Sequence, residues 1–286
     1  MILITGATGH LGTAIIDNLL RTVSPDQIVA LVRNEAKASA LKKKGVTLRV
    51  GHYDDPESIR QAVQGIDSVL LISGVDANRL QQHFLVIDAA RQAGVKHIAY
   101  TSLSYKDFDQ SVMGDFIRVH AKTEDHIKDS GLNYTIFRNS MYVDIVPGFV
   151  GEQVFQTGIF LPAGEGRTSG ALRSEMAEAI ANSLLMDSNE KKTYTLTGST
   201  AYTFTEIAET LSALSGKTVT YTSPDIETFK QQLKKYGVPE MGIFISGGFA
   251  ADIQNNQFEA VYPDLENLLG RKPAGLEAAL KIIYNL

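Results

Sequence analysis

The sequence predicts an α/β fold, a doubly wound parallel sheet followed by a smaller α/β C-terminal domain. Three observations carry that prediction. Short apolar runs alternate with longer amphipathic segments through the first half of the chain, the pattern of parallel strands joined by crossover helices. Several amphipathic segments stop at a glycine, Gly45, Gly65, Gly94 or Gly131, and a β-branched or apolar residue opens the next run. Finally, Gly6, Gly9 and Gly12 form a G-x-x-G-x-x-G pattern between the first apolar run and the first amphipathic segment.

Taken in order, the first half gives strands at 2–5, 28–33, 47–50, 68–72, 97–101 and 134–138, each a short run rich in Ile, Val, Leu or Thr. Between them helices are expected at about 11–21, 35–43, 56–63, 78–93 and 118–129, where apolar residues recur every three or four positions. Regular strand, helix and glycine punctuation of this kind argues for one sheet over about 1–145. The remainder, 146–286, reads as a smaller substrate-binding domain, with part of the chain able to return to the sheet. It opens loop-rich, with Pro147, Gly148, Gly151, Gly158, Pro162, Gly164, Gly166 and Gly170 close together. A helix at 174–186 and a strand at 194–197 follow. Thr203 and Glu206 ahead of an apolar-periodic run predict a capping box. A strand at 218–222 and helices at 225–236 and 275–284 complete the reading. The apolar, glycine-rich segment 241–250 shows no clear period and is read either as a mobile wall over the acceptor site or as a buried turn.

Composition narrows the function. The chain has 286 residues, 44% apolar and 21% charged, enough for a sizeable core. Its Lys+Arg 27 against Asp+Glu 32 gives a net charge of -5, which offers no basic surplus for nucleic acid or an anionic membrane. The absence of cysteine removes disulfides, thiolate nucleophiles, Cys-ligated zinc and iron–sulfur clusters, and no metal site is expected. The opening Met1-Ile2-Leu3-Ile4 reads as a strand rather than an export signal, and no apolar run approaches membrane-spanning length. A cytoplasmic protein is expected, with a homodimer left open.

The glycine pattern is the strongest chemical signal. Gly6 permits a tight turn, Gly9 lets backbone amides approach a pyrophosphate, and Gly12 lets the following helix pack against the sheet. The helix N-terminus adds partial positive charge and free N–H groups. This Rossmann-like arrangement predicts dinucleotide binding. About twenty residues on, where an acidic side chain would accept from the ribose hydroxyls of NAD, the sequence has Arg33. A guanidinium cannot accept a hydrogen bond but pairs with a 2′-phosphate, so NADP(H) is expected over NAD(H).

The runs TGATGHLG, LVRN, AGVKHIAYTS and YTIFRNSMY resemble the NmrA-like group of atypical short-chain dehydrogenase/reductases over nearly the whole chain, more loosely after about Thr222. The resemblance implies that Gly6, Ala7, Thr8, Gly9, His10 and Leu11, with Gly12 behind them, hold the pyrophosphate and Arg33 the 2′-phosphate. It also implies that Ile72, Ser73 and Gly74 line the ribose and adenine side. Asn139, Ser140, Met141, Tyr142, Val143 and Asp144 would border the nicotinamide, with Arg173 reaching in from the second domain. One departure is His52, where relatives often carry Asp on the adenine amino group; an imidazole accepts there only through its unprotonated nitrogen.

Catalysis departs further. Typical short-chain dehydrogenases use Tyr-x-x-x-Lys, yet no tyrosine here has a lysine four residues later, and His120 and Glu124 take the two places. The same H-x-x-x-E occurs in quinone- and dye-reducing members of the group. Without a strong proton donor, soft conjugated acceptors suit the site better than ketones or sugars, because hydride addition to them needs chiefly proximity and orientation. The expected activity is NADPH-dependent hydride transfer to a small-molecule acceptor such as a quinone. The alternatives are an NADP(H)-sensing regulator without turnover and, behind it, a nucleotide-sugar epimerase. His120, oriented by Glu124 at i+4, is a candidate proton donor, against a plain surface pair. Tyr142 is a candidate stacking surface and hydroxyl donor, against plain core. Ser102, Gln82 and His83 are weaker candidates, and the lysine runs 42–44, 191–192 and 234–235 read as solvated surface.

Overall fold

The computed structural model describes residues 1–151, 153–186 and 190–286. Strands β1 (Ile2–Ile4), β2 (Ile28–Val32), β3 (Thr47–Val50), β4 (Ser68–Ile72), β5 (His97–Leu103), β6 (Asn133–Asn139) and β8 (Lys192–Leu196) form a seven-stranded sheet of order β3-β2-β1-β4-β5-β6-β8. A two-stranded sheet joins β7 (Ile159–Phe160) to β9 (Tyr221–Thr222). The pairings β3·β2, β2·β1, β1·β4 and β4·β5 are all parallel. The fold is therefore the expected Rossmann-like α/β architecture.

Helices connect the strands: α1 (His10–Leu19), α2 (Ser39–Lys43), α3 (Pro56–Ala62), α4 (Arg79–Gln92), α5 (Asp115–Asp129), α6 (Val146–Val150), α7 (Val154–Thr157), α8 (Arg173–Leu184), α9 (Phe204–Ser215), α10 (Ile226–Lys235), α11 (Glu240–Gln254), α12 (Asp264–Leu269) and α13 (Leu276–Tyr284). The helix-ending glycines Gly45, Gly65, Gly94 and Gly131 all adopt positive φ, as the punctuation predicts. The Thr203–Glu206 capping box forms with both reciprocal bonds. Among the described residues no helix is long and apolar enough to cross a membrane.

Alternation along the strands builds the core on one sheet face from Leu3, Val29, Leu31, Val69, Leu71, Ile98 and Tyr100 against Ile59, Val86, Ala90 and Ile127. The alternate positions Ile4, Ile28, Ala30, Leu70 and Ala99 are equally buried, so both faces are covered, as parallel strands require.

Two compact units divide the chain. One comprises Met1–Leu103, Arg118–Arg138 and Ser174–Tyr194; the other comprises Ser104–Ile117, Asn139–Arg173 and Thr195–Leu286. The division is interleaved, where the sequence suggests a boundary near 145 with some chain returning to the sheet. Segment 241–250 is not a turn but lies inside the regular helix α11. Its glycines are packing contacts in the second unit: a Cβ on Gly247 would meet Ile226, and one on Gly248 would meet Met113 at 2.5 Å. Close helix contact is what those glycines serve, and it hides the helical period.

Candidate functional site

Strand register gathers the first set of residues. Leu48, Ala30, Ile4, Leu70 and Ala99 form one row across the sheet. Residues two or three positions beyond that row therefore leave the sheet along one edge: Gly6, Arg33, Gly51 and Ser73. The order β2-β1-β4 reverses direction at β1, and at such a switch point a crevice opens beyond the strand ends. A groove of about 460 Å³ lies there in the first unit, lined by Gly6, Thr8, Gly9, Leu31, Val32, Arg33, Gly51, His52, Tyr53, Ile72, Ser73, Gly74, Val75, Asp76 and Gln82.

The glycine loop is built by its backbone. Gly6 has φ +59°, and the Gly9 N–H donates to the Gly6 carbonyl at 2.9 Å, closing the turn. A Cβ on Gly12 would stand 2.4 Å from the Gly6 carbonyl and 2.9 Å from Ala7 Cα, so only glycine fits. Gly9 caps α1 in an extended conformation without a side-chain acceptor, leaving first-turn N–H groups for a ligand. Gly6, Thr8 and Gly9 line the groove, whereas Ala7, Leu11 and Gly12 are buried behind it and His10 is exposed but outside the lining. The loop is tied to β4 by the Thr5 N–H donating to the Leu70 carbonyl at 3.0 Å and the Ile72 N–H donating to Thr5 Oγ1 at 2.9 Å.

Arg33 is exposed at the rim of the groove, and among the described residues no carboxylate pairs with it. Other surface cations do have one: Lys44 pairs with Asp17, Arg60 with Glu57 and Lys96 with Asp67. Ile72, Ser73 and Gly74 also line the groove, with the Ser73 N–H donating to Thr101 Oγ1 at 2.9 Å. Leu31, Tyr53, Val75, Asp76 and Gln82 belong to the lining too and carry no motif. Their signal is the offset from the strand ends and, for Gln82, the first turns of α4.

The second set stands in the other unit. Asn139 ends β6 and is buried; its Nδ2 donates to the Tyr142 hydroxyl at 3.1 Å, while its Oδ1 is buried with no partner among the described residues. Asp144 accepts from the Arg173 backbone N–H at 2.8 Å and pairs with its guanidinium at 3.2 Å. That guanidinium lies 4.7 Å from the Tyr142 ring centroid, a cation–π arrangement. Burial raises the Tyr142 pKa, so its hydroxyl stays protonated. Ser140, Met141 and Val143 are buried and pair in backbone: the Ser140 N–H donates to the Leu196 carbonyl, the Val143 N–H to the Ala171 carbonyl, and the Ala171 N–H to the Met141 carbonyl. The structure thus clusters Asn139, Tyr142, Asp144 and Arg173 around one ring.

His120 and Glu124 do not form the expected pair, nor do they lie on the surface. His120 is buried, and its Nδ1 shares a hydrogen bond with the Tyr100 hydroxyl at 3.0 Å. Burial, with the Arg79 and His83 charges adding, pushes its pKa down to about 3, so it is neutral at pH 7 and carries no proton to give as an acid. Glu124 turns elsewhere: it accepts from Ser102 Oγ at 2.7 Å, from Arg138 at 2.9 and 2.6 Å and from Lys128 at 3.4 Å. Burial raises its pKa, but these donors outweigh burial and the net shift is downward. Close by, His83 shares a hydrogen bond with Thr123 at 3.0 Å, and burial followed by the Arg79 charge lowers its pKa to about 4. Ser102, Gln82 and His83 are thus all partnered, and no cluster of His, Cys, Asp or Glu among the described residues could hold a metal ion.

Comparison with known proteins shows the family of the chain. The NmrA-like family matches residues 1–275. Quinone oxidoreductase 2 of Escherichia coli (strain K12) is 41% identical over 242 residues, 84% of this chain and 83% of that protein. The crystal structure of Citrobacter sp. triphenylmethane reductase complexed with NADP(H) is 36% identical with a TM-score of 0.91, covering 98% of this chain and 99% of that one. The structure of the Escherichia coli NADPH-dependent quinone oxidoreductase complexed with NADPH is also 36% identical, with a TM-score of 0.90 and 100% of both chains covered. The chain belongs to the NmrA-like family.

Proposed function

We propose that this protein is an NADPH-dependent oxidoreductase that passes hydride to quinones or similar conjugated acceptors. The observation that carries the reading is the pairing of a glycine cradle with Arg33, a rim cation without a carboxylate partner among the described residues, in one groove. The named relatives support it, since they reduce quinones or triphenylmethane dyes and two were solved with NADPH or NADP(H).

The groove fits the cofactor on its own terms. The loop leaves no room for a side chain at Gly12, its first-turn N–H groups would hold phosphate oxygens, and Arg33 would pair with the 2′-phosphate. The buried Asn139 Oδ1 is an acceptor suited to a carboxamide N–H. Bound there, NADPH supplies a hydride from its nicotinamide ring. Within the second unit, Arg173 and Asp144 fix the Tyr142 face and Asn139 fixes its hydroxyl. Tyr142 thereby offers a protonated hydroxyl toward a developing phenolate, while His120, neutral and bonded to Tyr100, serves as a positioning residue in the buried layer. The acceptor is a small molecule, and because NADPH is a reductant of the cytoplasm we place the protein there.

The test follows reduced-nicotinamide absorbance when purified protein meets NADPH and a panel of quinones and dyes. Turnover on quinones is expected. Tight NADPH binding with turnover on none of them would replace this reading by that of a cofactor-sensing regulator.

A further inference from the structure

The second unit holds a cation where helix energetics disfavour one. Arg173 opens α8, and a positive side chain in the first turn of a helix runs against the macrodipole. The stretch 141–144 accounts for its placement. The Val143 N–H donates to the Ala171 carbonyl at 2.9 Å and the Ala171 N–H to the Met141 carbonyl at 3.1 Å, a parallel bridge that sets Tyr142 beside Ala171. Gly170 permits the approach, since a Cβ there would stand 2.9 Å from the Met141 carbonyl. Beyond the bridge Asp144 accepts from the Arg173 N–H and pairs with its guanidinium, both side chains being part-buried. The guanidinium is thereby held 4.7 Å from the centre of the Tyr142 ring, while Asn139 Nδ2 donates to the Tyr142 hydroxyl at 3.1 Å.

A cation over an aromatic face is attracted weakly by a neutral phenol and more strongly by a phenolate, whose charge spreads into the ring. A hydrogen bond donated to the oxygen favours the anion in the same way. We propose that Arg173 is a positioning residue for proton transfer, stabilising the phenolate that Tyr142 becomes when its hydroxyl protonates a reduced quinone. The inference deepens the reading of the protein as a quinone reductase and rests on it. Hydride from NADPH brings two electrons and one hydrogen and leaves the hydroquinone monoanion. The Tyr142 O–H bond then breaks as an O–H bond forms on the phenolate oxygen of that anion, and Tyr142 recovers its proton from solvent. Burial is the largest influence on the Tyr142 hydroxyl and raises its pKa; the Asn139 hydrogen bond and the Arg173 charge oppose it, and the Asp144 charge adds to it. No tyrosine of this chain has a lysine four residues later, so the cation beside the phenol comes from the start of another element, across the bridge.

Single-turnover oxidation of NADPH on the NADPH-saturated protein, followed by stopped flow, tests this with two quinones that differ in their need for a proton. Trimethylbenzoquinone gives a basic hydroquinone anion and dichlorobenzoquinone a weakly basic one. Tyr142→Phe should slow the first about a hundredfold and the second by no more than about threefold. Arg173→Gln, which removes the charge, should slow the first about tenfold and spare the second, whereas Arg173→Lys, which keeps the charge, should stay within about threefold of the wild type on both. Added to Tyr142→Phe, Arg173→Gln should slow neither quinone further, because it acts through the hydroxyl. An unaltered melting temperature checks the fold of each variant. Arg173→Gln slowing both quinones equally or slowing Tyr142→Phe further, or Arg173→Lys as slow as Arg173→Gln, would overturn the role of Arg173. Tyr142→Phe slowing both quinones equally would remove the proton transfer itself. Reduction of neither quinone by the wild type would instead overturn the quinone-reductase reading on which the inference rests.

Discussion

Two regions of the first unit hold its most suggestive polar residues, and they differ in what those residues touch. At the carboxyl ends of β1 to β4, the glycine loop and Arg33 face a groove; the loop spends the Gly9 N–H on its own turn, but no side chain caps the first-turn N–H groups of α1 and, among the described residues, no carboxylate pairs with Arg33. Beneath β5 and α5, His83, Tyr100, Ser102, His120, Thr123 and Glu124 are buried and bonded to one another or to Arg138. Both regions look like chemistry in the sequence. Capacity left open at a concave surface marks a ligand site, whereas capacity satisfied inside marks the scaffold that holds it.

The sharpest way to break that contrast is at Gly12. A side chain there has to displace backbone, so Gly12→Val should lower NADPH affinity at least a hundredfold by calorimetry, about 3 kcal/mol, by closing the loop onto the phosphate position. Undiminished binding would mean that the loop is not the cradle.

The buried layer should answer in stability instead. Glu124→Ala strands Arg138 and Ser102, and a cost of about 2 kcal/mol is expected in denaturant unfolding, moderated because Arg138 is partly exposed. Its lowered pKa also sets a sign: the carboxylate contributes stability at neutral pH that is lost as pH falls below the ordinary Glu range. A variant as stable as the wild type would show that the network is idle.

The neutral histidines give a smaller effect at neutral pH. His83 and His97 are lowered to about 4 and His120 to about 3. The unfolded chain takes up protons near pH 6.5 that the folded chain refuses, so stability should decline as pH falls from about 6.5 toward 4. His120→Gln should flatten that decline in melting temperature while leaving quinone turnover at pH 7 within about threefold. A much larger loss of turnover, with the fold intact, would return His120 to the chemistry.

The same contrast explains what the sequence made legible. The loop from Gly6 to Gly12 is a backbone device, so its residues carry their own reason, and Arg33 follows from its offset along β2. His120 and Glu124 are four apart on a helix, which predicts a pair. Burial against the sheet gives Glu124 better donors in Ser102 and Arg138, and that is tertiary information. Helix α11 was hidden for a related reason: Gly247 and Gly248 break its apolar period because neighbours, not helix propensity, demand small residues there. Tyr53 and Val75 enter the groove only through strand register, which no short motif reports.

The central claim, that Arg33 completes an NADP(H) site, is tested most directly by titrating the wild type and Arg33→Ala with NADPH and NADH. The account predicts that the wild type binds NADPH at least tenfold more tightly than NADH, and that Arg33→Ala erases the difference by weakening NADPH alone. NADH binding the wild type as tightly as NADPH would contradict it.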